Sequence, residues 1–192
     1  MTRITSSEAE HEAMHTVANL MAAAARTAPK GRGVDTIRTM VVEGEDIETL
    51  AHMMEEVAPG RPDLVSNSIR RDARNVRNSR FVVLVGVSGA PKKPENPLDC
   101  GGCGFKTCAN LIHAREKAGS GSDYSGPNCV FTTIDLGVAL GSAAKVASDH
   151  NIDNRLMYTA GIAAAKLKWL DADVVLGIPL SATGKSPYFD RG

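Results

Sequence analysis

The sequence predicts an α+β fold in which one central sheet is flanked by helices. Helical periodicities alternate with apolar runs typical of strands, without the regular strand–helix repeat of a parallel sheet. The run FVVLVGV at 81–87 is apolar throughout, as expected of a central strand that is buried on both faces. The 192 residues contain neither an internal repeat nor a linker, so residues 1–192 are expected to form a single domain.

The first element is a predicted helix that ends near Arg26. Ser6 or Ser7 would be its N-cap, and Glu8 would complement the helix dipole in the first turn. Pro29 ends the helical pattern. The side chains predicted to share the buried face of this helix are Met14, Val17, Ala18, Met21 and Ala25.

The remaining elements are predicted from apolar periodicity and from helix start and stop signals. A loop rich in proline and a cysteine-containing stretch, together at about 90–130, are expected to form an insertion between the central strand and a long helix. The other predicted elements are, in order, a strand at 36–42, helices at 46–57, 64–77, 107–117 and 132–148, a short strand at 155–158, a helix at 159–168 and a strand at 174–178.

All four cysteines of the chain belong to one sequence pattern. Three of them form the C-x2-C-x4-C run in LDCGGCGFKTCAN, and the fourth follows in SGPNCV. Four thiolates, three from a tight loop and one from a later part of the chain, are the ligand set that a 4Fe–4S cluster requires. The intervening glycines let the backbone curve around a bulky anion. The predicted metal ligands are Cys100, Cys103, Cys108 and Cys129.

Zinc is the main alternative for these cysteines. Structural zinc sites commonly combine two C-x2-C pairs, whereas only Cys100 and Cys103 have that spacing here. A cluster held by four cysteines has no open iron, so it would carry electrons or serve a structural or sensing role. The sequence therefore favours a redox protein that transfers electrons through a 4Fe–4S cluster. A non-enzymatic protein with a structural four-cysteine zinc site is the alternative.

A second motif, HEAMH, lies on the first predicted helix. Its spacing places His11 and His15 on one helix face, where they could bind zinc while Glu12 acts as the general base of a hydrolase. No third ligand follows in the usual register, and little of the chain precedes the motif to build a cleft. A zinc hydrolase is therefore a weaker hypothesis than the solvated start of an amphipathic helix.

Charge and hydropathy indicate neither a nucleic-acid nor a membrane partner. Lys plus Arg and Asp plus Glu number 22 each, so the formal net charge is zero. The longest uninterrupted apolar runs, at 20–25 and 81–87, are too short to span a bilayer. The polar first twelve residues do not look like a secretory signal. We therefore expect a cytoplasmic protein whose partner is a redox protein or a small electron acceptor.

The cysteine run resembles the C-G-x-C-G-x-x-x-C motif of corrinoid iron–sulfur proteins and of electron-transport subunits that bind a 4Fe–4S cluster. Over most of its length the chain resembles a prokaryotic family of uncharacterised ferredoxin-domain-containing proteins. The stretches that carry this resemblance are AARTAPKGRGVDTI, the cysteine run and LGIPLSATGKSPYFDR. The resemblance implies a cytoplasmic 4Fe–4S protein.

A weaker resemblance connects the chain with flavin-dependent nitroreductases. AARTAPKGRGVDTIRTMVV is similar to that family's helix–loop–strand entry, and the element order from 132 to 179 follows the same fold. The resemblance implies a central mixed sheet, a homodimer, and an FMN whose phosphate would contact Lys30, Arg32 and Arg191. The family's flavin-proximal serine and asparagine correspond here to Lys30 and Gly33. The resemblance thus implies the fold more firmly than an FMN-dependent oxidoreductase activity.

Overall fold

The computed structural model describes residues 3–119 and 123–189, which fold as an α+β domain around one sheet. The strands pair in the order β1-β2-β4-β3, and every pairing among the described residues is antiparallel, in place of the mixed sheet expected. Two helices connect β1 to β2, and the chain re-enters the sheet at the end where β1 leaves it, so these neighbouring strands are antiparallel. The strands are β1 (Ile37–Glu43), β2 (Phe81–Val87), β3 (Asp153–Asn154) and β4 (Val174–Ser181).

The described helices begin and end within two residues of the predicted bounds. A short 3-10 turn at Gly31–Gly33 follows the first helix. The helices are α1 (Ser6–Thr27), α2 (Glu45–Glu56), α3 (Asp63–Arg77), α4 (Cys108–Ala118), α5 (Val130–Asp149) and α6 (Tyr158–Lys166).

The start of α1 is fixed by a capping box one residue earlier than expected. Thr5, and not Ser6 or Ser7, is the N-cap: its hydroxyl accepts from the Glu8 N–H at 3.3 Å, and the Glu8 carboxylate accepts from the Thr5 N–H at 2.8 Å. This reciprocal pattern needs a glutamate three residues after the cap, which Thr5 has in Glu8 and Ser6 lacks. The five side chains predicted to face the core are all buried.

Strand β2 divides the core into two layers, as its uniformly apolar sequence predicts. All seven of its residues are buried. Phe81, Val83, Val85 and Val87 pack with α1 and α5 on one face of the sheet. Val82 and Leu84 pack with α2, α3 and α6 on the other. This alternation is the pleat of a strand that is covered on both sides.

The predicted strand at 155–158 is wrong by two residues. The pairing with β4 involves Asp153 and Asn154, and only an isolated bridge joins Met157 to Gly177. A two-residue edge strand is defined by its partner's backbone and carries almost no periodicity of its own, so sequence patterns cannot locate it.

Helix α5 is more apolar than the uninterrupted runs of the sequence suggest. Among the described residues it is one helix that is long and apolar enough, by length and composition alone, to cross a membrane. Five of its apolar side chains are nevertheless buried in the core layer against α1 and the sheet, and a core helix meets the same two criteria. These are Leu136, Ala139, Leu140, Ala143 and Ala147.

Candidate metal centre

A cavity of about 150 Å³ brings three of the four predicted ligands together. It lies where the segment between β2 and α5 (residues 88–129, called the insertion below) meets the Gly31–Gly33 turn and the start of α5. The lining is mainly apolar apart from Arg32 and Lys92. The residues around it are Gly31, Arg32, Pro91, Lys92, Leu98, Cys100, Cys108, Cys129 and Phe131.

Two of these cysteines stand at helix N-termini. Cys108 is the first residue of α4, after an N-cap in which the Thr107 hydroxyl accepts from the Asn110 N–H at 3.1 Å. Cys129 is the N-cap of the 20-residue helix α5. Helix N-termini carry unpaired N–H groups and a partial positive charge, which favour thiolates and a negatively charged cluster.

Backbone contacts fix the positions of both cysteines. The Cys108 N–H donates to Asp99 Oδ1 at 2.6 Å, which closes the cysteine loop on itself. The Cys129 N–H donates to the Gly89 carbonyl at 2.8 Å, so the returning chain is attached to the start of the insertion. A Cβ at Gly102 would lie 2.9 Å from Val130 Cγ1, so this close approach of the loop to α5 requires glycine.

The four predicted ligands differ in their exposure to solvent. Among residues 3–119 and 123–189, no three His, Cys, Asp or Glu side chains converge closely enough to hold one metal ion. Cys129 is buried, Cys103 and Cys108 are half-buried, and Cys100 is exposed, which leaves one edge of the cavity open to solvent. Cys103 does not line the cavity.

Sequence reasoning missed two charged residues at this site. Lys92 lines the cavity and forms a buried ion pair with Asp135, and the two side chains are 3% and 5% exposed. Asp135 is the one charged residue in the stretch VFTTIDLGVAL. An isolated acid on a helix that packs against the core is the sequence signal that could have identified it as a buried, paired group.

Of the three residues expected to contact a flavin phosphate, Arg32 lines the cavity and Lys30 does not. The Lys30 ammonium contacts the carbonyls of Arg26 and Ala28 at the end of α1 and lies 3.8 Å from Asp35. Arg32 lines the cavity and donates to the Asn96 carbonyl at 2.6 Å. Arg191 lies outside the described residues.

The segment that returns to Cys129 is attached to the body of the domain by Asp123. Its carboxylate accepts two hydrogen bonds from the Arg61 guanidinium, one of them 3.2 Å long at Asp123 Oδ2. The same carboxylate accepts a hydrogen bond from the Tyr158 hydroxyl. The hydrogen bonds from Arg61 lower the pKa of Asp123 against the opposing effect of burial, so this carboxylate stays charged.

The HEAMH motif has a packing role in the described structure. The rings of His11 and His15 lie 5.1 and 5.7 Å from the Phe81 ring, which they cover at the end of the sheet. The zinc-hydrolase hypothesis stays a prediction from the motif.

Comparison with known proteins identifies the family of this chain. Residues 125–191, which include Cys129 but not the other cysteines, match the family described as uncharacterized proteins containing a ferredoxin domain. A protein of Archaeoglobus fulgidus, described as uncharacterized, is 48% identical over 182 residues, which cover 95% of this chain and 94% of its relative. This chain belongs to the ferredoxin-domain family. The expected membership is thereby confirmed.

Solved nitroreductases share the fold of this ferredoxin-domain protein. A nitroreductase with bound FMN from Desulfitobacterium hafniense superposes with a TM-score of 0.55 at 14% identity, over 99% of this chain and 86% of that one. Nitroreductase A from Vibrio parahaemolyticus gives a TM-score of 0.52 at 12% identity, over 97% and 62% respectively. The nitroreductase-like fold predicted from the sequence is therefore confirmed.

Proposed function

We propose that this protein binds a 4Fe–4S cluster through Cys100, Cys103, Cys108 and Cys129 and transfers electrons through it. The observation that carries the proposal is the convergence of three cysteines on one small cavity, two of them at helix N-termini. The ferredoxin domain in the family description supports the same chemistry. When bound, the cluster would supply one-electron chemistry, and the exposed Cys100 gives an electron-transfer partner a route of approach.

The protein's own residues supply the environment of the cluster. The mainly apolar walls, including Leu98 and Phe131, limit the access of water. The N-termini of α4 and α5 direct positive partial charge towards the thiolates. Hydrogen bonding and solvent exposure around the sulfurs set a cluster's reduction potential over hundreds of millivolts.

The proposal extends to a flavin coupled to the cluster and to a homodimer. The fold neighbour from Desulfitobacterium hafniense holds FMN. A cavity of about 150 Å³ in one chain is smaller than the roughly 300–1,000 Å³ of typical cofactor pockets, so FMN would need a second surface. Phe131, Ile134 and Val138 form an exposed apolar stripe on α5 that begins at the cavity, and a second copy could cover it.

The decisive experiment measures metal content in anaerobically purified protein. We expect a brown protein that contains iron and acid-labile sulfide in equal amounts, with broad absorbance in the visible range. A colourless protein with stoichiometric zinc would overturn the proposal in favour of a structural zinc site. Heat release of FMN, read by fluorescence, tests the flavin separately, and sedimentation tests the dimer.

The fourth ligand has its own test. Cys129→Ser should lose most of the iron or yield a cluster with altered electron paramagnetic resonance, because a hydroxyl is a poorer iron ligand than a thiolate. Thr133→Ser, one turn along α5, is the matched control and should retain the iron content of the native protein. Unchanged iron and spectra in Cys129→Ser would exclude Cys129 as a ligand.

A further inference from the structure

Lys92, which lines the cavity together with the cysteines, belongs to a buried ion pair. The Lys92 ammonium contacts the Asp135 carboxylate, and both side chains are almost wholly inaccessible to solvent. Lys92 Nζ also donates to the Gly31 carbonyl at 3.1 Å, and the Gly31 N–H donates to Asp135 Oδ1 at 2.9 Å. Each charge therefore has a second hydrogen-bond partner, which a stable buried ion pair requires.

The pair joins three parts of the chain around the cavity. Lys92 belongs to the insertion, Gly31 to the turn after α1, and Asp135 to α5, six residues after the predicted ligand Cys129. Arg32 strengthens the same junction, because its guanidinium donates to the carbonyls of Lys92 at 3.3 Å and Asn96 at 2.6 Å. The position of the insertion relative to α5 thus depends on these polar contacts.

We infer that Lys92 and Asp135 are a charge-balanced pair near the cysteine site, where the loss of either charge alone shifts the reduction potential; the inference rests on the proposed cluster. One electron added to a cluster makes it more negative. A neighbouring ammonium favours that reduced state, and a neighbouring carboxylate opposes it. As a pair the two charges nearly cancel, so removing either one alone leaves the other acting on the cluster from a buried position.

The two single variants should therefore shift the midpoint potential in opposite directions. Asp135→Asn keeps an oxygen for the Gly31 N–H and leaves the Lys92 ammonium uncompensated, so the potential should rise. Lys92→Met leaves the carboxylate uncompensated, so the potential should fall. We expect each shift to change the ratio of oxidised to reduced cluster at least tenfold at a fixed electrode potential, which is 59 mV for a one-electron couple.

Spectroelectrochemical titration of the anaerobically purified holoprotein measures these shifts, with the electrode supplying the electron. The matched controls are Lys145→Met and Asp149→Asn, which remove an exposed ion pair from the distal end of the same helix and should leave the potential unchanged. The double variant Lys92→Met/Asp135→Asn has neither charge, so its potential should return close to that of the native protein.

A purely structural role gives a different result. In that case both single variants would lose iron and stability together, or shift the potential in the same direction, and the inference would be wrong. If a single variant does not retain its cluster, the double variant still decides, because a potential far from the native value in that protein contradicts charge cancellation. Absence of a cluster in the native protein would instead refute the proposed function, and iron analysis before the titration separates the two failures.

Discussion

The sheet core and the insertion are stabilised in opposite ways. In the core, β2 and β4 lie between two layers of helices, and apolar side chains pack against both faces of the sheet. At Gly161, α6 lies so close to the backbone of β4 that no side chain would fit between them. In the insertion, hydrogen bonds from backbone and charged groups hold the chain in place. Among residues 88–119 and 123–129, only five are buried: Gly89, Pro91, Lys92, Leu111 and Cys129.

This difference separates what keeps the protein folded from what shapes its site. Close packing of apolar groups tolerates little change in volume but does not depend on a ligand. A segment attached by polar contacts and predicted metal ligands depends on those few partners. We therefore expect changes in the core to alter global stability, and changes in the insertion to alter metal binding and local order.

The largest effect is expected at the contact between α6 and β4. A Cβ at Gly161 would lie 1.8 Å from the Val175 carbonyl oxygen, so Gly161→Ala must separate the helix from the sheet. We expect a loss of about 3 kcal/mol or more in the free energy of unfolding, measured by chemical denaturation.

Gly141→Ala on α5 is the matched control for this substitution. Nothing lies within 4 Å of its added methyl group, so higher helix propensity should stabilise the protein by about 1 kcal/mol. Equal changes in stability at Gly161 and Gly141 would contradict the close contact between α6 and β4 as the cause.

Removal of metal should affect the insertion selectively. Oxidation of the cluster followed by chelation is expected to make residues 88–119 and 123–129 sensitive to limited proteolysis, because their ligand contacts are lost. The core should retain most of its far-ultraviolet circular dichroism and a cooperative thermal transition. Mass spectrometry of the fragments locates the cleavages, and cleavage throughout α1 or β2 would contradict the comparison.

A smaller effect is expected on the outer face of the core, where Arg77 joins α3 to α2. Its guanidinium donates to Glu48 at 2.9 Å and to Glu55 at 2.8 Å. Arg77→Met should cost about 1 kcal/mol at pH 7, because these groups are partly exposed. Arg74→Met, on an exposed position of the same helix, is the control and should change stability much less.

The contribution of Arg77 should depend on pH. Its hydrogen bond is the main cause that lowers the pKa of Glu55 below the ordinary 4.5. Since the folded-state pKa is depressed, the stabilisation is complete above about pH 4.5 and is lost as the pH falls through the lowered value. Denaturation of native protein and Arg77→Met between pH 7 and pH 3 should therefore show converging stabilities. A constant difference across that range would exclude the Glu55 carboxylate as the partner that matters.

Periodicity and local signals predicted most of the fold because the residues that define each of these helices and strands lie within the element itself or next to it. The five buried positions of α1 and the buried β2 follow from side-chain spacing alone. The predicted helix at 107–117 lies one residue from α4 at each end. The edge strand Asp153–Asn154 was misplaced because its position depends on pairing with β4.

The sequence by itself determined the α+β class, the position of the central strand and the four candidate ligands, because each is a local pattern of residue type and spacing. Only the tertiary structure decided that Cys100, Cys108 and Cys129 share a cavity with a buried Lys92–Asp135 pair, and that the Lys30 ammonium bonds to the end of α1. Those contacts join residues up to 104 positions apart, as between Gly31 and Asp135. Their energies depend on burial and distance, which sequence spacing does not encode.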